Sequence, residues 1–366
     1  MILLRINKDC LAERFDIDEQ VIVSPPGEIT VYYKDIPLFG WSFQSGSLEI
    51  LCPEDFTGDI IEAIDRTGLY PLEFEFNSQG TGVYEGIHDN VKTLETPYKL
   101  KINNFVAWFD GICSSLGNKI YLVPDTNFLR RHYYNNFLRE VLSHSKLIYA
   151  TRIVIPRLCI LEIENKYNRS STSKPGKKKD ELPEPFIEYN VGKERRLGLS
   201  SIKEVISIKK NGGGTNPSID NSLIESFSRA SGEKYADHWI RREILEFISS
   251  VTDRLTRDDQ GETITEKSGI IFLTCDIMNS LVAVSENINT LYILRREPDK
   301  LYVPSSKDFT NLVYNTAIQF GECTCHIKYF QDEKFRIIGM WEGKTTYDWL
   351  TDRLLIDENK VVPRPP

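Results

Sequence analysis

Short apolar runs that end abruptly in polar residues set the pattern of this chain. Ile120-Tyr121-Leu122-Val123 stops at Pro124, and Asp125-Thr126-Asn127 follow. A run this brief, rich in Ile, Leu and Val and closed by proline, suits a central strand of a parallel sheet better than a helix. The period then changes: apolar or aromatic residues at 128, 129, 133, 134, 137, 138, 141 and 142 predict a helix between Phe128 and Leu147. Asp125 therefore stands at the carboxyl end of a strand just before a helix, where open α/β sheets bind their ligands. Taken singly, Asp125 or Asn127 would be read as a helix cap.

The same arrangement recurs. Arg152-Ile153-Val154-Ile155-Pro156 predicts a second short strand, and the helix that starts at Arg157 carries Glu162. That residue lies about one and a half turns beyond the proline, within reach of the strand ends. A helical pattern opens at Lys234-Tyr235-Ala236-Asp237 and runs through Phe247. Ile270-Ile271-Phe272-Leu273 is again a strand, and it delivers Thr274-Cys275-Asp276-Ile277-Met278-Asn279.

Outside this region the pattern differs. Val21–Val23, Ile29–Tyr33, Leu48–Leu51 and Leu72–Phe76 read as strands with a helix over Gly58–Gly68, so residues 1–112 are expected to form an N-terminal α+β unit with mainly antiparallel sheet. Its Tyr32, Tyr33, Phe39, Trp41 and Phe43 are read as core ahead of a base-stacking platform. Asn104–Leu116 reads as a connecting helix. Beyond the Leu291–Leu294 strand, Phe309–Phe320 and Tyr347–Leu355 predict helices, and His326–Phe330 and Phe335–Met340 predict strands. The first helix and strand of that set could extend the parallel sheet; residues 331–366 are expected to form a C-terminal extension, with Trp341, Tyr347 and Trp349 as packing residues and a loose tail at Val361–Pro366.

The order strand-Asp-Thr-Asn, strand-Pro-helix-Glu, Asp-helix, strand-Thr-x-Asp-helix resembles the PIN-domain nucleases over roughly residues 118–296. By that resemblance Asp125, Glu162, Asp237 and Asp276 match the family's four acids, and the domain, residues 113–330, is expected to be a three-layer α/β/α fold with a parallel central sheet. Thr126, Asn127, Thr274 and Asn279 correspond to polar residues that support the acids or the substrate. The interval between Glu162 and Asp237 is longer than in small members of the family. Asp220 is thus a rival for the third acid, and Glu164 competes with Glu162.

Carboxylates forced together repel one another, and a structure tolerates that only with a screening cation or bound protons. Oxygen ligands with open water positions favour Mg²⁺ or Mn²⁺ over zinc. Such ions polarise a phosphodiester and generate a hydroxide. The expected activity is a metal-dependent nuclease, an endoribonuclease in the preferred reading, although no residue separates RNA from DNA. A catalytically silent nucleic-acid-binding or protein-binding scaffold and a structure-specific DNA nuclease are the alternatives.

Residues 170–218 are read as an insertion. Lys177, Lys178 and Lys179, with Arg195 and Arg196 farther on, are the candidate phosphate contacts, set against a solvated loop. Net charge of −8 and a pI near 5.4 argue against coating nucleic acid by bulk charge, but leave room for a local basic patch. No stretch approaches the roughly twenty apolar residues needed to span a bilayer. Seven cysteines without CxxC spacing make no disulfide framework or zinc site, and a reducing, cytoplasmic setting is expected. Cys323 and Cys325 should share one face of a strand. The N-terminal unit is the candidate surface for a second copy or a protein partner.

Overall fold

A computed structural model describes residues 3–15, 27–42, 45–68, 73–77, 98–117, 119–140, 142–146, 151–168, 192–216, 221–229, 236–251, 254–257, 263–266, 268–294, 301–302, 305–328 and 332–358. The chain is α/β and divides into two compact units that interleave along the sequence. One comprises Met1–Tyr70, Lys166–Lys203 and Glu297–Pro366, and the other Pro71–Asn165 and Glu204–Arg296.

The first unit is built on an antiparallel sheet. Its strands are β1 (Leu3–Asn7), β2 (Glu28–Tyr33), β3 (Ile36–Ser42), β4 (Ser47–Ile50), β13 (Leu301–Tyr302), β14 (Glu322–Lys328), β15 (Asp332–Ile338) and β16 (Arg353–Asp357), in the order β1-β16-β15-β14-β2-β3-β4-β13. Alternation places Leu354 and Ile356 of β16, and Phe335 and Ile337 of β15, in the core. The Lys8–Phe15, Glu54–Asp65 and Ser306–Phe320 helices contribute Leu11, Phe56, Ile60, Phe309 and Val313 to the same cluster. The last of these helices is buried along most of its length. Ser305 caps its start by accepting from the Asp308 N–H, and Gly321 at φ 89° ends it.

Arg196 closes that end. Its Nε donates to the Ile318 carbonyl and its Nη2 to the Gln319 carbonyl, both at 2.7 Å, which satisfies two acceptors that the helix itself leaves open.

The second unit holds a six-stranded sheet in the order β5-β12-β11-β6-β7-β8. The strands are β5 (Glu73–Asn77), β6 (Lys119–Pro124), β7 (Thr151–Ile155), β8 (Gly214–Thr215), β11 (Ser268–Thr274) and β12 (Thr290–Leu294). All pairings are parallel except β5 with β12. Every residue of β11 is buried, as its continuous apolar run requires of a central strand. Gly269 admits the Tyr98–Leu116 helix at close range: a Cβ there would stand 2.6 Å from that of Leu116. A separate antiparallel ribbon pairs β9 (Arg254–Arg257) with β10 (Thr263–Glu266).

The chain runs from β6 outward to β7 and β8, then returns to β11 on the other side of β6 before reaching β12. The order therefore reverses between β6 and β11. In doubly wound sheets that reversal opens a crevice at the strands' carboxyl ends.

Several expectations are corrected. The sequential division at about 112 and 330 gives way to the interleaved units, because strands from both ends of the chain pair in one antiparallel sheet. The Glu73–Asn77 strand belongs to the parallel sheet, where it covers the β12 edge. The Ser306–Phe320 helix and β14 extend the antiparallel sheet instead of the parallel one. The expected Tyr347–Leu355 helix ends at Leu350, and the chain passes through Asp352 at φ 52° into β16. Tyr33, Phe39 and Trp41 are buried as core, and Cys323 and Cys325 are both buried on β14. The expected strand at Val21–Val23, Phe43 and the Val361–Pro366 tail lie outside the described residues. Among the described residues no helix is long and apolar enough to cross a membrane.

Arg196 supplies the test of this packing. Arg196→Gln should lower unfolding stability by about 2 kcal/mol, the scale of charge-assisted bonds lost in a buried setting. Urea denaturation followed by circular dichroism measures it.

Candidate functional site

Asp125 leaves β6 at the sheet's reversal point. Its backbone N–H still donates to the Leu273 carbonyl of β11 at 2.9 Å, so the two strands end together. The side chain is 1% exposed and accepts two bonds, from the Phe128 N–H at 2.6 Å and from Thr274 Oγ1 at 2.5 Å. The first caps the Thr126–Arg130 helix. The second ties the acid to the neighbouring strand, which a cap alone does not require.

Thr274 extends the link to a second acid. Its Oγ1 accepts from the Asp276 N–H at 3.1 Å, and Asp276 Oδ1 in turn caps the Ile277–Ser285 helix by accepting from the Met278 and Asn279 N–H groups. Both cap bonds fall on one oxygen of that carboxylate. Thr126, next to Asp125, donates from Oγ1 to Glu162 Oε2 at 2.5 Å and so fixes the acid carried by the Arg157–Asn168 helix. Asn127 is half-buried in the first turn after Asp125. Glu164 is exposed, whereas Glu162 is half-buried against Thr126.

Asp237 lies exposed in the first turn of the Ala236–Val251 helix. Its charge nevertheless reaches Asp125. Burial is the largest influence on the Asp125 carboxyl and pushes its pKa from 3.8 up to about 7; the charges of Asp237 and Glu162 add to the rise, while the Thr274 and Phe128 bonds oppose it. Three of the four expected acids thus interact electrostatically. Asp276 is tied to Thr274 through its backbone N–H, while its carboxylate caps its own helix. Among the described residues no three His, Cys, Asp or Glu side chains are drawn together tightly enough to form a ready-made metal cage. Asp220, the rival third acid, and Lys177, Lys178 and Lys179 lie outside the described residues.

Three supporting residues escaped the sequence reading. Arg241, four positions after Asp237, donates from Nη1 to Asn279 Oδ1 at 2.6 Å and from Nε to Glu286 Oε2 at 2.8 Å, which ties the Asp237 helix to the Asp276 helix. The spacing of four was the available signal. Glu243, 1% exposed, accepts from the Arg157 and Leu158 N–H groups and from Asn216 Nδ2, and so anchors the start of the helix that carries Glu162. Nothing in its local pattern announces that role. Cys159 is buried beneath the acids with its Sγ 3.6 Å from the Pro124 carbonyl. Burial and the nearby carboxylates hold its thiol protonated, so it is a packing residue and not a nucleophile.

Two buried polar atoms close to Asp276 in the chain, Asn279 Nδ2 and Ser280 Oγ, have no hydrogen-bond partner among the described residues. Ile277, Met278 and Leu281 form an exposed apolar ridge on the same helix. Of the expected phosphate contacts, Arg195 is exposed. Arg196 is corrected: it is 5% exposed and committed to the Ile318 and Gln319 carbonyls, so it has no donor fork to offer a phosphate.

No protein-family model, curated protein or solved structure matches the chain.

The raised Asp125 pKa has a consequence for stability. Between the unfolded value of 3.8 and the folded value of about 7, the folded protein holds a proton that the unfolded chain has released. That contribution is fully present below the lower value and is lost as pH rises through the upper one. In metal-free buffer Asp125→Asn should therefore melt above wild type at pH values beyond the raised pKa, with the gap closing towards the lower one. Differential scanning calorimetry across that range checks it; a gap independent of pH would remove the assignment.

Proposed function

We propose that the chain is a divalent-metal-dependent nuclease of PIN-like architecture acting on RNA, most simply as an endoribonuclease. The observation that carries this reading is the Asp125 carboxylate: buried at the sheet's reversal point, bonded to Thr274 of the adjacent strand, and under the charges of Glu162 and Asp237. A cluster of that kind favours a cation, because a cation relieves both the desolvation and the mutual repulsion.

The donor set is all oxygen and fits Mg²⁺ or Mn²⁺. Asp125, Glu162, Asp237 and Asp276 would hold the ion or orient water at it. When bound, the ion supplies Lewis acidity and a lowered water pKa. The protein's own part is to fix the acids. Thr274 restrains Asp125, Thr126 restrains Glu162, and Arg241 with Asn279 couples the helices bearing Asp237 and Asp276. Asn279 Nδ2, without a partner among the described residues, is a donor suited to a phosphate oxygen or a water, and Asn127 stands in the turn beside Asp125. With a net charge of −8, an ion at the acids would also offset their repulsion of a phosphate backbone.

Labelled single-stranded, duplex and hairpin RNA and DNA, incubated with Mn²⁺, Mg²⁺ or EDTA, provide the test. Cleavage of RNA should need the metal and should disappear in Asp125→Asn while binding persists. Thr274→Val should lower activity by about 10- to 100-fold, the usual effect of losing a group that orients a metal ligand. Equal losses in Asp237→Asn and wild-type activity in Asp220→Asn would fix the third acid. Folded protein that binds RNA without cutting any substrate would support the silent-scaffold alternative.

A further inference from the structure

The antiparallel unit contains a recess of about 510 Å³, in the size range of small-molecule sites. Arg195 and Leu199 of the Lys193–Lys210 helix line one side. Trp341, Glu342 and Lys344, after β15, and Thr346 and Trp349, on the Thr346–Leu350 helix, also line it.

Its chemistry is unusual for a packing defect. The Lys344 ammonium lies 4.7 Å from the Trp341 ring centroid and 3.9 Å from that of Trp349, and donates to the Gly339 carbonyl at 2.6 Å. Burial lowers its pKa to about 7, against the opposing pull of Asp352. Among the described residues neither Lys344 nor Arg195 enters an ion pair. Arg195, Lys344 and two indoles thus line one cavity, and the single acid among its described lining residues, Glu342, is exposed to solvent.

A purely apolar ligand would leave both cations desolvated without compensation. A small inorganic anion would make no use of the indole walls. A ligand that is both anionic and flat satisfies both, since guanidinium recognises phosphate by its donor fork and indole presents a face for stacking. The geometry points to a nucleotide-binding recess, in which Arg195 and Lys344 meet the phosphate and Trp341 meets the base. The recess stands on its own lining residues and does not depend on the nuclease reading. Its nucleotide can be free or part of a strand.

Isothermal titration of the full chain in EDTA, which prevents cleavage, separates these cases. The probes are UMP, AMP, uridine, inorganic phosphate and a decauridylate. A nucleotide should bind more tightly than uridine or phosphate alone. Arg195→Ala and Trp341→Ala should each weaken it about tenfold, and Trp341→Phe should retain most of the affinity, as stacking predicts. Circular dichroism melts establish that each variant is folded, and Arg195→Lys and Trp341→Leu, which remove the donor fork and the aromatic face, serve where an alanine variant is not. A decauridylate that binds where UMP does not, with the same loss in Trp341→Ala, assigns the recess to a strand; tight UMP or AMP binding assigns it to a free nucleotide. Absence of binding by every nucleotide probe, or affinity unchanged in folded Arg195→Ala and Trp341→Ala or in the Arg195→Lys and Trp341→Leu that replace them, overturns the proposal.

Discussion

The hydrogen bond from Thr274 to Asp125 is the contact on which the candidate site depends. It joins the ends of two central parallel strands at the place where the sheet order reverses, and it does so between two side chains removed from solvent. A carboxylate so placed bears a desolvation cost that a single hydroxyl does not remove. The consequence is a carboxyl whose proton affinity is raised, or a carboxylate awaiting a cation. The rest of the second unit prolongs this situation. Glu243 fixes the helix that brings Glu162, and Arg241 joins the helices that bring Asp237 and Asp276.

The strands that carry Asp125 and Asp276 were legible because a buried parallel strand must be apolar along its length and then stop. The break in hydrophobicity marks the strand end and the site together. The placement of β5 was not legible, because its alternating pattern suits any half-covered edge and its partner β12 lies more than two hundred positions away. Pairing of β1 with β16 and of β2 with β14 is equally non-local, and the reading by consecutive segments therefore divided one sheet into two ends. Arg196 shows the same limit at a single residue. Its neighbour Arg195 is exposed, and only the tertiary position of the Ile318 and Gln319 carbonyls makes one arginine structural and leaves the other available. At Tyr347–Leu355 a helical spacing was present, but the left-handed Asp352 turned the last residues into a strand that completes the sheet.

The two units offer different chemistry. The parallel unit carries acids at its strand ends and helix starts; the antiparallel unit presents Arg195, Lys344 and two indoles around a recess. Under the two proposals, the first would meet a phosphate-bearing ligand through a metal and the second directly. At a net charge of −8 the chain has no bulk attraction to a polyanion, so the proposed phosphate contacts rest on local arrangements alone.

The central claim is that Asp125, Glu162, Asp237 and Asp276 form one cation site, and Mn²⁺ binding followed by electron paramagnetic resonance tests it most directly. Titration of the wild-type chain should show saturable loss of the free Mn²⁺ signal, reversed by excess Mg²⁺, and the loss should be abolished in folded Asp125→Asn and weakened in Glu162→Gln. Absence of saturable binding by wild type, or binding unchanged in Asp125→Asn, would contradict the account.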